Sequence, residues 1–384
     1  MSPQWDVIVV GVGAMGSAAI WQLQRRGLRV LGIERFSRGH ARGSSHGGSR
    51  IFRFAYFEHS DYVPLLRRAD SHWIELEQTS EQRLLHRCGV LYGGKVGSEV
   101  IAGVKHSAKT HGIAIESIAR EAIESRFPAF SNCAEPIGEF LFEPNAGFVR
   151  PERAICAMIA QSERLGAVVR ENTIVSGWRE NGDCVEVDAG GVTECAKNLV
   201  LCPGAWTADL ARSLDVPLVN SRQVIGWITP DQLRHSDAGS MPAFFIERES
   251  GAPMYGIPMV ADQGSPTGIK IGFHGAGDPC HPNSVDRVVR GDELRSMEVA
   301  FARVAPGVAG AVTNSAVCMY TNTPDEHFII DRMPGTDRVS IACGFCGHGF
   351  KFAPVIGEIL ADLVVHGETS LPIHFLRRNR FVGA

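Results

Sequence analysis

Residues 6–16, DVIVVGVGAMG, decide how this chain folds. DVIVV (6–10) is a short apolar run rich in β-branched residues, and it reads as a strand buried on both faces. GVGAMG follows, with glycines at 11, 13 and 16. Gly11 permits a tight turn, Gly13 lets backbone approach a pyrophosphate, and Gly16 lets helix and strand pack closely. Ala14 to Arg26 reads as a helix ended by Gly27, and RVLGI (29–33) as a second strand. Strand, glycine turn, helix and strand within about 30 residues make a dinucleotide-binding unit. Phosphates would lie at the helix N-terminus beside Ala14 and Met15, where free N–H groups and the positive dipole end favour anions. Glu34, closing the second strand ahead of Arg35, suits a ribose hydroxyl. The plainer reading is a structural glycine turn with Glu34 a solvated charge. The unit alone does not choose between FAD and NAD.

Outward from that unit, 384 residues suggest two or three domains at about 150 residues each. A net charge of −4 with 44% hydrophobic and 21% charged residues is an ordinary globular balance. It argues against disorder and against a broad basic nucleic-acid surface. Ten cysteines are too sparse for a disulfide scaffold in so long a chain. The first residues lack the basic start of a secretory signal, and no run reaches the ~18 apolar residues of a membrane span. The expectation is a cytoplasmic protein with reduced thiols and no membrane or nucleic-acid partner. Two skews remain. Glycine is unusually frequent at 42 residues, and only six of the 38 basic residues are lysine: Lys95, Lys105, Lys109, Lys197, Lys270 and Lys351.

The middle of the chain alternates. Helices are expected over 61–77 and 151–165, and strands over 89–94, 139–149, 167–170, 174–178, 184–188 and 198–202. From 221 to 280 the pattern is strands and turns: QVIGWI, AFFIE, MYGIPM, GIKIGFH. VSIAC (339–343), a glycine loop and a helix over 352–366 close the chain. Nucleotide-type elements stand at both ends with a β-rich block between. That predicts a mixed α/β fold in which a Rossmann-like domain (1–88, 146–215 and 315–384) is interrupted by a β-rich substrate domain (89–145 and 216–314).

Several stretches concentrate chemistry. GSSHGGSRIFRFAY (43–56) sets His46, Ser49, Arg50, Arg53 and Tyr56 in an adaptable glycine loop, with Arg50 and Arg53 spaced to share one side of a helical turn. Read blandly, it is a surface loop with solvated arginines. In GIKIGFH, Lys270 and His274 fall on one face of a strand, and a lysine among Ile269, Ile271 and Phe273 is unusual; an edge-strand gatekeeper is the alternative. Cys318 between Val317 and Met319 reads as a small buried hydrophobe. Cys343 and Cys346 form a C-x-x-C with no second pair to complete a zinc site, and no metal is expected.

Taken together, GVGAMG, GSSHGGSRIFRFAYFEHSDYVPL, FEPNAGFV, PGAWT, AVCMYTNTPDEHFIID and GFCGHGFKF resemble the monomeric sarcosine oxidase and N-methyltryptophan oxidase family, within the D-amino-acid-oxidase-like flavoproteins. The resemblance runs nearly end to end. It implies a D-amino-acid-oxidase-like two-domain architecture, a monomer, and FAD bound covalently through Cys318. Gly43, Ser44, His46, Ser49 and Arg50 would lie along the cofactor, as would Gly204 and Trp206 of PGAWT. So would Gly344, Gly347, His348, Gly349, Phe350 and Lys351 of the last glycine loop. Arg53 and Lys351 match the family's carboxylate-binding pair, Arg50 the arginine near the flavin ring, and Lys270 the lysine that promotes reaction with oxygen. Tyr255, His274 and Tyr320 match pocket residues.

The implied reaction oxidises a secondary amine with O2 and water, sarcosine first, giving formaldehyde, the primary amino acid and H2O2. Bulkier N-methyl amino acids, cyclic imino acids such as pipecolate, or a non-oxygen acceptor are the alternatives. An NAD-dependent dehydrogenase would leave Cys318 and the second glycine loop unexplained. The chain departs from the family at Gly48 (an acid), Ser45 (histidine), Phe54 (histidine) and Cys346 (serine), and its 262–268 stretch is longer.

Overall fold

In a computed structural model of the protein, which describes residues 4–260, 266–275 and 277–381, the strand Trp5–Val10 feeds the helix Ala14–Arg25. The first sheet has eight strands; five are parallel, in the order Val168–Arg170, Val30–Ile33, Trp5–Val10, the end of Val192–Leu201, and Val339–Cys343, and Cys184–Ala189 and Val175–Asn181 extend it antiparallel from the start of Val192–Leu201. Ile329–Arg332 closes its edge antiparallel. The unbroken apolar run of the first strand is explained by its two covers. Val7 and Val9 pack with Ala18, Ile20, Ile356 and Leu360 from the helices, whereas Ile8 and Val10 pack with Val187, Leu199 and Ile341. A Cβ on Gly16 would fall 1.7 Å from the Gly11 carbonyl oxygen, so the helix approaches the turn as closely as backbone allows.

The second sheet is large and almost wholly antiparallel. Its order is Gly310–Asn322, Val219–Pro230, Ile269–Phe273, Met254–Ile257, Ala243–Ile246, Val90–Gly94, Glu139–Glu143, Glu116–Ile118. Among the described strands of this sheet, only Val90–Gly94 and Ala243–Ile246 pair in parallel. The helix Gly291–Val304 covers one face with Met297, Phe301 and Val304. A third sheet of three short strands, Arg50–Phe52, Gly147–Val149 and Leu85–His86, packs Phe52, Leu85 and Val149 with the core of the first sheet's helices and Phe148 with Val90, Tyr92 and Phe245 of the second sheet.

Four expectations need amending. Arg50 and Arg53 do not share a helical turn. Arg50–Phe52 is a strand because Gly147–Val149 offers it a ladder, and β-branched and aromatic residues favour that pairing. The strand expected at 198–202 starts earlier, at Val192, and serves an antiparallel hairpin before it turns parallel. The helices Glu99–His111 and Gly291–Val304 interrupt regions in which none was expected. The expected boundary at 314/315 falls inside the continuous strand Gly310–Asn322. Most of the longer stretch at 262–268 lies outside the described residues. Among the described residues, no helix is long and apolar enough to cross a membrane.

Candidate active site

A cleft of about 330 Å³ opens at the carboxyl ends of the parallel strands, where Val10, Ile33 and Ala342 border it. This is where open α/β sheets bind ligands. Gly11, Gly13, Ala14 and Met15 form one wall. No side chain caps the helix at Gly13 and its first turn carries no acid, so its N-terminal amides are left for an anion. The Glu34 carboxylate accepts from the Val12 amide at 2.7 Å and the Phe36 amide at 2.9 Å, with His40 Nε2 at 3.3 Å. Arg35 lies 5.4 Å from the Trp206 ring, and Trp206 donates through Nε1 to Asn283 at 2.8 Å. Gly43, Ser44, Arg50 and Gly204 line the same cleft, as do Gly344, Gly347, Gly349 and Phe350. This donor set fits FAD: anion-binding amides, a carboxylate for a ribose, and a long trough flanked by glycines.

Six expected cofactor residues lie outside this lining: Ser49, Cys318, His348 and Lys351 line the adjoining cavity described next, whereas Gly16 and His46 line neither. Gly16 acts through packing, as its contact with Gly11 requires. His46 is buried behind the loop. Burial, and then the Arg50 and Lys270 charges, push its imidazole down to about 3.

A second cavity of about 70 Å³ shares Arg50, Tyr320, Gly347 and Phe350 with the first. Arg53, Tyr255, His274, Cys318, His348 and Lys351 also line it, so most of the expected pocket residues converge although up to 301 positions separate them. Its apolar walls are Ile51, Ile225, Phe245 and Ile257. Arg53 and Lys351 are 5% and 4% exposed. Arg53 pairs with Glu58 at 2.5 Å and stacks 4.2 Å from the Tyr56 and Phe57 rings. Burial works to raise the Glu58 carboxyl, but Arg53, with His348 and Lys351, outweighs it and brings it down to about 2. Lys351 Nζ donates to the His348 carbonyl at 2.7 Å, and burial together with Arg53 holds its amine well below the usual lysine range. Tyr56 Oη lies 2.5 Å from His348 Nδ1 and 3.4 Å from Lys351 Nζ. Burial raises the Tyr255 phenol to about 12. His274 is driven down to about 4, also by burial.

Arg50 aims Nη2 at Cys318 Sγ, 3.8 Å away. That guanidinium gives the thiol the positive neighbour that thiolate chemistry needs. Lys270 borders neither cavity. Its amine lies behind the loop and donates to the Ser49 carbonyl at 2.7 Å, and burial and Arg50 hold it well below its ordinary range. Glu58 was not expected in the site, although it follows Arg53 within one quoted motif; an acid five residues on gives no periodic signal in a segment that is neither helix nor regular strand.

A dinucleotide cleft opening into a small cationic pocket, carried on a parallel sheet joined to a large antiparallel one, defines a nucleotide-cofactor oxidoreductase. Residues 6–363 match the FAD dependent oxidoreductase family, and the chain belongs to it. Over 389 residues it is 40% identical to a monomeric sarcosine oxidase from Streptomyces avermitilis, with all of both chains covered. It is 35% identical over 382 residues to an N-methyl-L-tryptophan oxidase from Escherichia coli, covering 98% of this chain and 100% of the relative. Among solved structures, NikD, described as an unusual amino acid oxidase essential for nikkomycin biosynthesis, shares the fold with a TM-score of 0.84 at 24% identity, covering 98% of each chain.

Proposed function

We propose that the protein is an FAD-dependent amine oxidase acting on a small N-methyl amino acid of the sarcosine type, with O2 and water as co-substrates and formaldehyde, the primary amino acid and H2O2 as products. The observation that carries this reading is the pairing of two buried basic groups, the Arg53 guanidinium and the Lys351 amine, with a cavity of about 70 Å³ walled by apolar side chains. Such a pocket fixes one carboxylate and leaves room for little else.

Bound FAD supplies the two-electron acceptor for the C–H bond next to nitrogen. The residues hold the rest. Arg53 and Lys351 orient the carboxylate. The cationic surroundings lower the pKa of the substrate ammonium, ordinarily near 10, because like charge disfavours the protonated form. Lys270, with its amine desolvated behind Ser49, is the candidate for promoting reaction with oxygen. Cys318, beside Arg50, is the candidate tether. The parallel sheet would carry the cofactor and the large sheet, through Ile225, Phe245 and Ile257, most of the apolar substrate wall, with Gly310–Asn322 shared between them.

The deciding experiment is an anaerobic flavin-bleaching screen over sarcosine, larger N-methyl amino acids and cyclic imino acids, followed by peroxide detection in air. Sarcosine should bleach fastest. The reading fails if no carboxylate-bearing secondary amine bleaches the flavin.

A further inference from the structure

The stretch FEPNAGFVRPE (142–152) runs antiparallel to the segment that carries Arg50 and Arg53. Val149, Phe148 and Gly147 pair with Arg50, Ile51 and Phe52. Backbone pairing stops there, yet the contact continues at both ends through a carboxylate. Beyond Arg50, Glu152 accepts from the Gly47 amide at 2.6 Å and from the Gly48 amide at 3.1 Å. Beyond Phe52, Glu143 accepts from the Phe54 amide at 2.7 Å, the Ala55 amide at 3.2 Å and the Tyr92 hydroxyl at 2.8 Å. Glu143 is completely buried. Gly47 and Gly48 hold φ of +91° and +75°, which turns two successive amides toward one acceptor.

We infer that Glu152 and Glu143 are positioning residues that anchor the two ends of the catalytic segment independently: Glu152 sets the Ser49 carbonyl that receives Lys270, and Glu143 sets the backbone that follows Arg53. The inference rests on the roles proposed above for Lys270 and Arg53. It predicts a separation that a general loss of stability would not produce. The Glu152 end lies 2.7 Å from the Lys270 amine through Ser49. The Glu143 end adjoins the guanidinium that would hold the carboxylate.

The test combines amide hydrogen exchange with half-reaction kinetics on the holoenzyme. In Glu152→Ala, exchange should quicken across 47–50 and not across 54–56, and flavin reoxidation by O2 should slow about tenfold, with KM unchanged. In Glu143→Gln, exchange should quicken at 54–56, and KM and the Kd of an unreactive carboxylate (acetate) should rise about tenfold, with reoxidation unchanged. Glu152→Gln keeps an oxygen in reach of both glycine amides and should recover most of the Glu152→Ala loss. The Glu152 pair of variants decides the matter even if Glu143→Gln does not accumulate. Equal exchange in both segments, or both kinetic constants moving together in each variant, overturns the inference. Lys270→Met and Arg53→Met are the controls. If they alter reoxidation and KM as expected while the glutamate variants behave as wild type, the inference alone falls. If the controls change neither, the functional reading falls and takes the inference with it.

Discussion

Lys351 shows how one side chain's surroundings set its use. Its amine is buried, donates to the His348 carbonyl and lies 4.9 Å from the centre of the Tyr56 ring. Among the described residues it has no acid partner of its own, since Glu58 is taken by Arg53. A substrate carboxylate would therefore complete its hydrogen bonding. Lys351→Met should weaken binding of a carboxylate substrate ten- to a hundredfold, at roughly 1.5–3 kcal/mol for a hydrogen bond to a charged group, and change turnover at saturation little. Steady-state kinetics on an amine with and without its carboxylate checks this; an equal loss on both amines refutes it. Cys318 makes the second residue-scale case. Arg50 is its cationic neighbour, and Ser44 offers a carbonyl 3.7 Å from the sulfur. With Cys318→Ser, flavin absorbance should leave the acid-precipitated protein and appear in the supernatant. Wild-type protein that also releases its flavin would remove the tether from the scheme.

At the scale of elements, glycines decide whether cleft and helix can meet. Gly16→Ala must push a methyl against the Gly11 carbonyl, and the shift needed to relieve it separates the helix N-terminus from the turn that would cradle phosphate. We expect a loss of about 1–3 kcal/mol of stability and of most bound FAD. Gly177→Ala, whose Cβ would meet nothing within 4 Å, serves as the control and should change neither. Thermal unfolding and flavin content settle both. The same physics explains what the sequence could disclose. The first strand, glycine turn, helix and second strand were legible because each signal is local and close in sequence. Arg50, Arg53, Tyr255, His274, Tyr320 and Lys351 were legible through motif resemblance, and they meet in one cavity. The helix Gly291–Val304 carries a readable apolar stripe at Met297, Ala300, Phe301 and Val304, but it stands beyond the strands read over 221–280, in a domain expected to be β-rich. The Arg50–Phe52 strand was not legible. It exists because Gly147–Val149 lies opposite, and a ladder partner far along the chain leaves no periodicity in three residues.

The whole molecule concentrates buried titratable groups around its two joined cavities, and their shifts act on stability in one direction below neutral pH. His46 and His348 are driven to about 3 from an ordinary 6.5, in each case by burial first, with Arg50 then acting on His46. The unfolded chain would protonate both near pH 6.5, whereas the folded chain resists until about pH 3. Between those limits the unfolded state binds more protons, so stability rises with pH, by up to about 1.4 kcal/mol per pH unit for each histidine. Lys270 and Lys351, held below their usual range, extend the same sign upward, since an unfolded lysine keeps its proton to about 10.4. The protein should therefore be more stable at pH 8 than at pH 6, and should lose stability steeply from pH 6 to pH 4, before most carboxylates titrate. His46→Asn removes one such group, and the slope of urea-unfolding free energy between pH 4 and pH 6 should flatten by about 1.4 kcal/mol per pH unit. An unchanged slope in that variant, or wild-type stability that falls from pH 6 to pH 8, would show that buried histidines and lysines do not govern the acid limb.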